Sequence, residues 1–183
     1  MHEISSHLIP AVRVTRRHIL SGMAVSLAGV SSGFDLWGSS PQQAMKEVPA
    51  TEFNKTRTSL HDEVDFKASS QRIYEVLLDS KQFAACTGLA ADIDPKAGGS
   101  FSMFGGMIVG RNVELVRDER IVQAWRPTHW DPGVFSIVRF QLKPQSSGTR
   151  VVLDHTGFPA GDFEHLEAGW KEHYWGPLTK YLG

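Results

Sequence analysis

His155 is the residue of this chain best placed to do chemistry. It follows Val151 and Leu153 at a spacing of two, and residues so spaced in a strand share one face. Two apolar companions turn that face inward. An imidazole there can hydrogen-bond a ligand or shuttle a proton; the same position equally suits a core histidine satisfied by a backbone carbonyl. Asp154 is the immediate neighbour and points to the opposite face, so the two are not a pair.

Other chemistry is harder to assemble. Metal binding needs convergent His, Asp or Glu. His165 and His173 both fall on a C-terminal helical pattern, but eight residues apart they do not share a close i, i+4 face, so no metal site is expected. Cys86 is the single cysteine, which excludes an internal disulfide and a cysteine-rich metal site. Its surroundings, Phe83-Ala-Ala-Cys86-Thr-Gly88, supply no base, so it reads as a small buried hydrophobe. Gly98-Gly99 and Gly105-Gly106 lie between strand patterns rather than at a strand-to-helix junction. They turn the chain and do not cradle phosphate, and no cofactor is implied. Nineteen Lys and Arg against twenty Asp and Glu give a net charge of -1, which predicts no nucleic-acid partner.

The aromatic residues carry the remaining signal. Phe83, Phe101, Phe104, Trp125, Trp130, Phe140, Trp170 and Tyr174, together with His155, are candidates to line a ligand pocket. Plain core packing by large side chains is the competing reading, and one inward face can serve both.

The elements that would position these residues are legible in turn. Val64-Asp65-Phe66 alternates as the end of a strand over 58–66. Ser69 or Ser70 caps a helix bearing Ile73, Tyr74, Val76, Leu77 and Leu78; Asp79 or Ser80 starts a second one, closed by Gly88. Strands follow over 90–94, 100–104, 107–116, 120–126, 136–142 and 149–156, with Gly105-Gly106 as a two-residue hairpin and 127–133 as a loop holding Trp130. Alternation fails across Ile121-Val122-Gln123-Ala124-Trp125, which leaves the facing of that strand open. A closing helix over 163–182 repeats Leu166, Trp170, Tyr174, Leu178 and Leu182 at four-residue spacing. Pro177 should kink it, and Gly169 should let it approach the sheet closely. The outcome is an α+β domain in which a curved antiparallel sheet of about seven strands wraps a long C-terminal helix, with two short helices after the first strand.

Residues 1–33 have a different character. Thr15-Arg16-Arg17-His18-Ile19-Leu20 resembles a twin-arginine (Tat) export signal, with Arg16 and Arg17 ahead of a weakly apolar run of about a dozen residues ending near Val30. That run is too short for a membrane span, which needs roughly 20 residues. Residues 34–55, rich in Ser, Gly, Pro and Gln, read as a flexible linker, and 56–183 as the folded domain. The expectation is a periplasmic protein that meets the twin-arginine translocation machinery. A start at Met23 or Met45 would remove the arginines and leave it cytoplasmic.

Several short motifs fall in order along the domain: Val64-Asp-Phe-Lys-Ala-Ser69, Ile73-Tyr-Glu-Val-Leu77, Gly98-Gly-Ser-Phe101, Gly110-Arg-Asn-Val-Glu-Leu115, Glu119-Arg-Ile-Val-Gln-Ala-Trp125-Arg126, His155-Thr-Gly157 and Gly169-Trp170. Together they resemble the family named for the activator of Hsp90 ATPase homologue, C-terminal domain type, in the SRPBCC or START-like superfamily of cyclases and lipid carriers. The resemblance covers about residues 60–182 and implies a helix-grip fold. The first 55 residues leave no room for a separate co-chaperone domain. Three functions stay open: non-catalytic binding of a hydrophobic small molecule or lipid between sheet and helix; a cyclase- or hydratase-like reaction with His155 as acid or base; and a co-chaperone-like protein-interaction domain.

Overall fold

The computed structural model describes residues 50–183; Arg16, Arg17, the signal segment and most of the linker lie outside the described residues. A short helix α1 (Ala50–Thr56) comes first, so the end of the segment read as linker is helical. Glu52 in its first turn and Lys55 in its last complement the helix dipole. Then follow β1 (Ser59–Phe66), α2 (Ser70–Leu78), α3 (Ser80–Thr87), β2 (Asp92–Ile93), β3 (Ser100–Met103), β4 (Ile108–Val116), β5 (Arg120–Pro127), β6 (Ser136–Gln145) and β7 (Gly148–Thr156). The closing helix has three parts: α4 (Phe163–Gly169), a π-helical turn (Trp170–Trp175) and α5 (Gly176–Leu182).

The strands form one seven-stranded sheet in the order β1-β7-β6-β5-β4-β3-β2, with every pairing antiparallel. Six strands thus meander, and β1 is added at the β7 edge, with Leu60 opposite His155. The inner face packs on α2, α3 and the closing helix in a single core. The Ser69 hydroxyl accepts from the Arg72 N–H and the Asp79 carboxylate from the Gln82 N–H, so both short helices begin on side-chain caps. Gly88 ends the second in the left-handed conformation.

The strand with no clean alternation is ordinary in space. Ile121, Gln123, Trp125 and Pro127 face inward, and Val122, Ala124 and Arg126 are half-buried on the other side. Gln123 breaks the pattern because a polar partner awaits it. Its amide donates to Asn112 Oδ1 at 3.0 Å, and Asn112 Nδ2 donates to the Asp94 carbonyl at 2.9 Å. A register shift between Asn112 and Glu114 leaves Val113 outside the pairing and exposed, while Asn112 is fully buried.

The turn after β3 differs from the expected two-residue hairpin. Residues 104–107 connect the strands through a 3₁₀ turn at Phe104–Gly106. Phe104 itself sits at φ 54, a rare conformation for a side chain with a Cβ. It is held there by packing: its ring meets Phe83 and Tyr174 edge-on, each at 5.1 Å. On the following strand, Gly110 is required by close approach. A Cβ there would lie 2.0 Å from the Ala124 carbonyl oxygen and 2.4 Å from the Phe101 ring. Gly110→Ala is therefore expected to lower unfolding stability by about 2 kcal/mol or more. A urea midpoint unchanged from wild type would contradict this close packing.

Candidate functional site

Four tryptophans of the described residues tie the closing segments to the sheet, three of them through the indole N–H. Trp175 donates to Asp62 Oδ2 of β1 at 2.7 Å, and Trp130 donates to the Asp162 carboxylate just before α4. Trp170 donates to His155 Nδ1 at 3.1 Å. An indole only donates, so His155 Nδ1 carries a lone pair and the ring proton sits on Nε2. That nitrogen meets the Ser136 hydroxyl at 2.7 Å, and the hydroxyl in turn donates to the Trp125 carbonyl at 3.0 Å. One hydrogen-bond chain thus runs from the helix through β7 and β6 to β5.

His155 is fully buried, and burial pushes its pKa down to about 3. Both ring nitrogens are engaged within the protein. Its place is in the core, with no free nitrogen for a ligand and no proton to give near neutral pH.

A cavity of about 400 Å³ opens between the closing helix and the β4–β5 end of the sheet. Its floor is buried and mostly apolar: Phe104, Trp125, Pro127, Leu166, Trp170 and Tyr174. Its mouth carries exposed Met107, Thr128, His129, His165 and His173, with half-buried Ile108 and Gly169 between. Of the nine residues expected to line a pocket, four do: Phe104, Trp125, Trp170 and Tyr174. Phe83, Phe101, Trp130, Phe140 and His155 are all buried but lie outside the cavity wall, in the core. They fill the sheet's inner face instead, as with Phe140, whose ring sits edge-on to Trp170 at 5.7 Å.

The sequence reading missed the mouth. His165 and His173 both reach it, a placement that the test for a close metal-binding pair did not address. In an α-helix eight residues advance about 800°, leaving an offset of about 80°. The π-turn at Trp170–Trp175 winds fewer degrees per residue and removes part of that offset. Its i→i−5 bond from the Gly176 N–H to the Lys171 carbonyl comes just before Pro177, which has no donor of its own. Pro177 thus coincides with a widened helix, the perturbation its position announced. Gly169 was expected to let the helix press on the sheet. A Cβ on it would meet nothing within 4 Å. The missing side chain leaves cavity space.

The floor also holds two polar groups that face each other without a well-formed hydrogen bond. Trp125 is the one described tryptophan whose indole N–H makes no well-formed hydrogen bond, and the buried Tyr174 hydroxyl, which it faces, makes none either. Burial raises the Tyr174 pKa well above the usual tyrosine value, although the neighbouring Trp125 N–H favours the ionised form. The hydroxyl stays protonated. Cys86, half-buried, has its thiol pushed up by burial. Among the described residues no three His, Cys, Asp or Glu are grouped to hold a metal ion, and no helix is long and apolar enough to cross a membrane.

A seven-stranded antiparallel sheet gripping a long C-terminal helix over a cavity defines a helix-grip, START-like domain. Residues 67–183 match the family model described as activator of Hsp90 ATPase homolog 1-like protein, and the chain belongs to that family. It is 33% identical over 128 residues to an activator of 90 kDa heat shock protein ATPase homolog of Dictyostelium discoideum, a match covering 66% of this chain and 33% of the relative. The chain thus spans about a third of the length of the curated relatives it matches. Among solved structures, an HSP90 activator from Plasmodium falciparum superposes with a TM-score of 0.66 at 23% identity, covering 69% of this chain and 97% of that one. CalU16 from Micromonospora echinospora gives 0.59 at 17% identity, covering 68% and 76%. At these identities the structural likeness establishes the fold.

The depressed pKa of His155 has a consequence for stability. The native state keeps His155 neutral, whereas the unfolded chain takes up a proton below the ordinary histidine value of about 6.5. Stability from this residue is therefore full above about pH 6.5 and declines as pH falls toward about 3, by at most about 1.4 kcal/mol per pH unit. Urea unfolding at pH 7.5, 6 and 5 should show wild type losing stability faster than His155→Gln. Parallel slopes would count against the buried neutral imidazole.

Proposed function

We propose that this domain binds a hydrophobic small molecule or lipid in the cavity between sheet and closing helix, without covalent chemistry, and that the twin arginines direct its export. The observation that carries the binding reading is a cavity kept open where a filled core would be cheaper. Gly169 is helical, so alanine there would favour the helix by about 1 kcal/mol, and nothing stands in the way of its methyl group. Widening by the π-turn works in the same direction, and such turns recur at functional sites. Ligand burial against the aromatic floor supplies affinity, and a ligand oxygen reaching the Trp125 N–H or Tyr174 hydroxyl would satisfy a buried donor.

A second reading, a co-chaperone-like docking domain, is supported by the Hsp90-activator relatives. It needs an exposed apolar docking face rather than an interior.

Two substitutions at one position separate cavity from core. Gly169→Ala should raise stability by up to about 1 kcal/mol. Gly169→Phe should fold and leave no room for a ligand. Native mass spectrometry of protein purified from its own source should show a bound apolar molecule in wild type and none in Gly169→Phe. An empty wild-type spectrum that stays empty after incubation with apolar ligands would sink the binding reading. For export, fractionation of an Arg16→Lys, Arg17→Lys double variant should find the protein retained inside; transport by the same route regardless would refute the signal.

A further inference from the structure

The three histidines at the cavity mouth have no hydrogen-bonding role in the fold. Of the five described histidines, two are engaged. His61 Nδ1 pairs with Asp154 at 2.7 Å, and His155 is held between Ser136 and Trp170. His129, His165 and His173 make no hydrogen bond and no ion pair among the described residues; their contacts are between rings. His129 and His165 meet edge-on at 5.7 Å, and His173 lies 6.3 Å from the Phe104 ring. All three are exposed, and all three line the same cavity.

The charged groups around them stand elsewhere. Among the described residues no Asp, Glu, Lys or Arg lines the cavity. On the closing helix Glu164 and Glu172 are exposed outside the lining, and Glu167 pairs with Lys171 at 3.3 Å. Asp162 accepts from Trp130; in the segment beside His129, Arg126 donates to the Trp130 carbonyl, and Asp131 is exposed outside the lining. Tyr174, the one other titratable group of the lining, is buried in the floor and neutral. The mouth is thus a ring of imidazole donors with no carboxylate competing for them, above an apolar pit with no cation at its base.

We propose that this mouth binds the carboxylate of an amphiphile whose apolar body fills the cavity. The inference rests on the hydrophobic-ligand reading and adds the polarity and orientation of the ligand. An ionised carboxylate is strongly disfavoured on an apolar floor, so the body enters first and the head stays at the partly hydrated rim. There each imidazole offers a ring N–H to the head.

Laurate and 1-dodecanol share a chain and differ in the head. Titrated into the full chain and followed by tryptophan fluorescence, laurate should bind about ten-fold more tightly than dodecanol at pH 6. The combined variant His129→Gln, His165→Gln, His173→Gln should lose the preference while keeping its affinity for dodecanol. Equal affinities in wild type at pH 6, or a preference that survives in the triple variant, would overturn the proposal. So would a preference abolished by a chelator, which would assign it to a bound metal ion. Binding of dodecanol without a preference for laurate overturns this inference alone; failure of both ligands overturns the cavity reading and this inference with it.

Discussion

The grip of the closing helix on the sheet depends on one buried polar chain, from the Trp170 N–H through His155 and Ser136 to the Trp125 carbonyl. Each atom in it is fixed by the one before: an indole can only donate, so the imidazole must accept at Nδ1 and donate at Nε2, and the hydroxyl passes its proton to a backbone oxygen. Inside a dry core a half-satisfied chain of this kind would cost more than apolar packing, and a complete one specifies a single arrangement. It sets the depth and rotation of the helix. Trp170 then stacks on Trp125 at 5.8 Å and lies 4.3 Å from Tyr174, and those three rings make up much of the cavity floor.

The rest of the helix resolves a conflict in its own sequence. A strict four-residue apolar repeat drifts by about 40° per step on a regular α-helix, so Leu166 and Leu182 would end on very different faces. The wide turn at Trp170–Trp175 slows that drift where the rings are largest, and Leu166, Trp170, Tyr174 and Leu178 all remain buried. The same widening, beside a residue with no side chain at 169, leaves space on one flank. Fold and cavity thus share a cause: what lets an over-regular repeat stay on the sheet also prevents the helix from sealing against it.

Much of the fold was legible because it rests on local rules. Ser69, Asp79 and Gly88 stand at helix ends as capping chemistry demands, and seven strands follow from alternation and turns. The inward facing of Val151, Leu153 and His155 was likewise a matter of period two. What escaped was set by partners distant in sequence. Gln123 faces inward because Asn112 receives it, and Asn112 does so at a bulge that no pattern announces. The division of aromatic residues into wall and core was also beyond reach, since Phe83 and Tyr174 look alike as periodic apolar positions. Even in space they are 5.9 Å apart, yet only Tyr174 borders the cavity. The mouth histidines were weighed only as a metal pair, His165 with His173, and a rule for regular helices says little about how the irregular turn Trp170–Trp175 places them around a cavity.

Histidine usage then separates the two jobs of this domain. The outer face of the sheet is knitted by charge. Arg150 holds Asp65 at 2.7 Å, and Arg139 and His61 share Asp154. The Asp65 carboxyl is held below its usual range by Arg150; desolvation alone would raise that of Asp154, but pairing with His61 and Arg139 prevails and lowers it. These exposed pairs align β1, β6 and β7 and contribute modestly. Inside, His155 is neutral and spent on the grip. Around the cavity, by contrast, three imidazoles at the rim make no hydrogen bond among the described residues, and an indole N–H and a phenol in the floor make no well-formed one. Elsewhere buried polar side chains such as Asn112, Gln123 and Thr149 are matched, and the gathering of unmatched donors along one apolar wall is what the proposed ligand reading requires of its site.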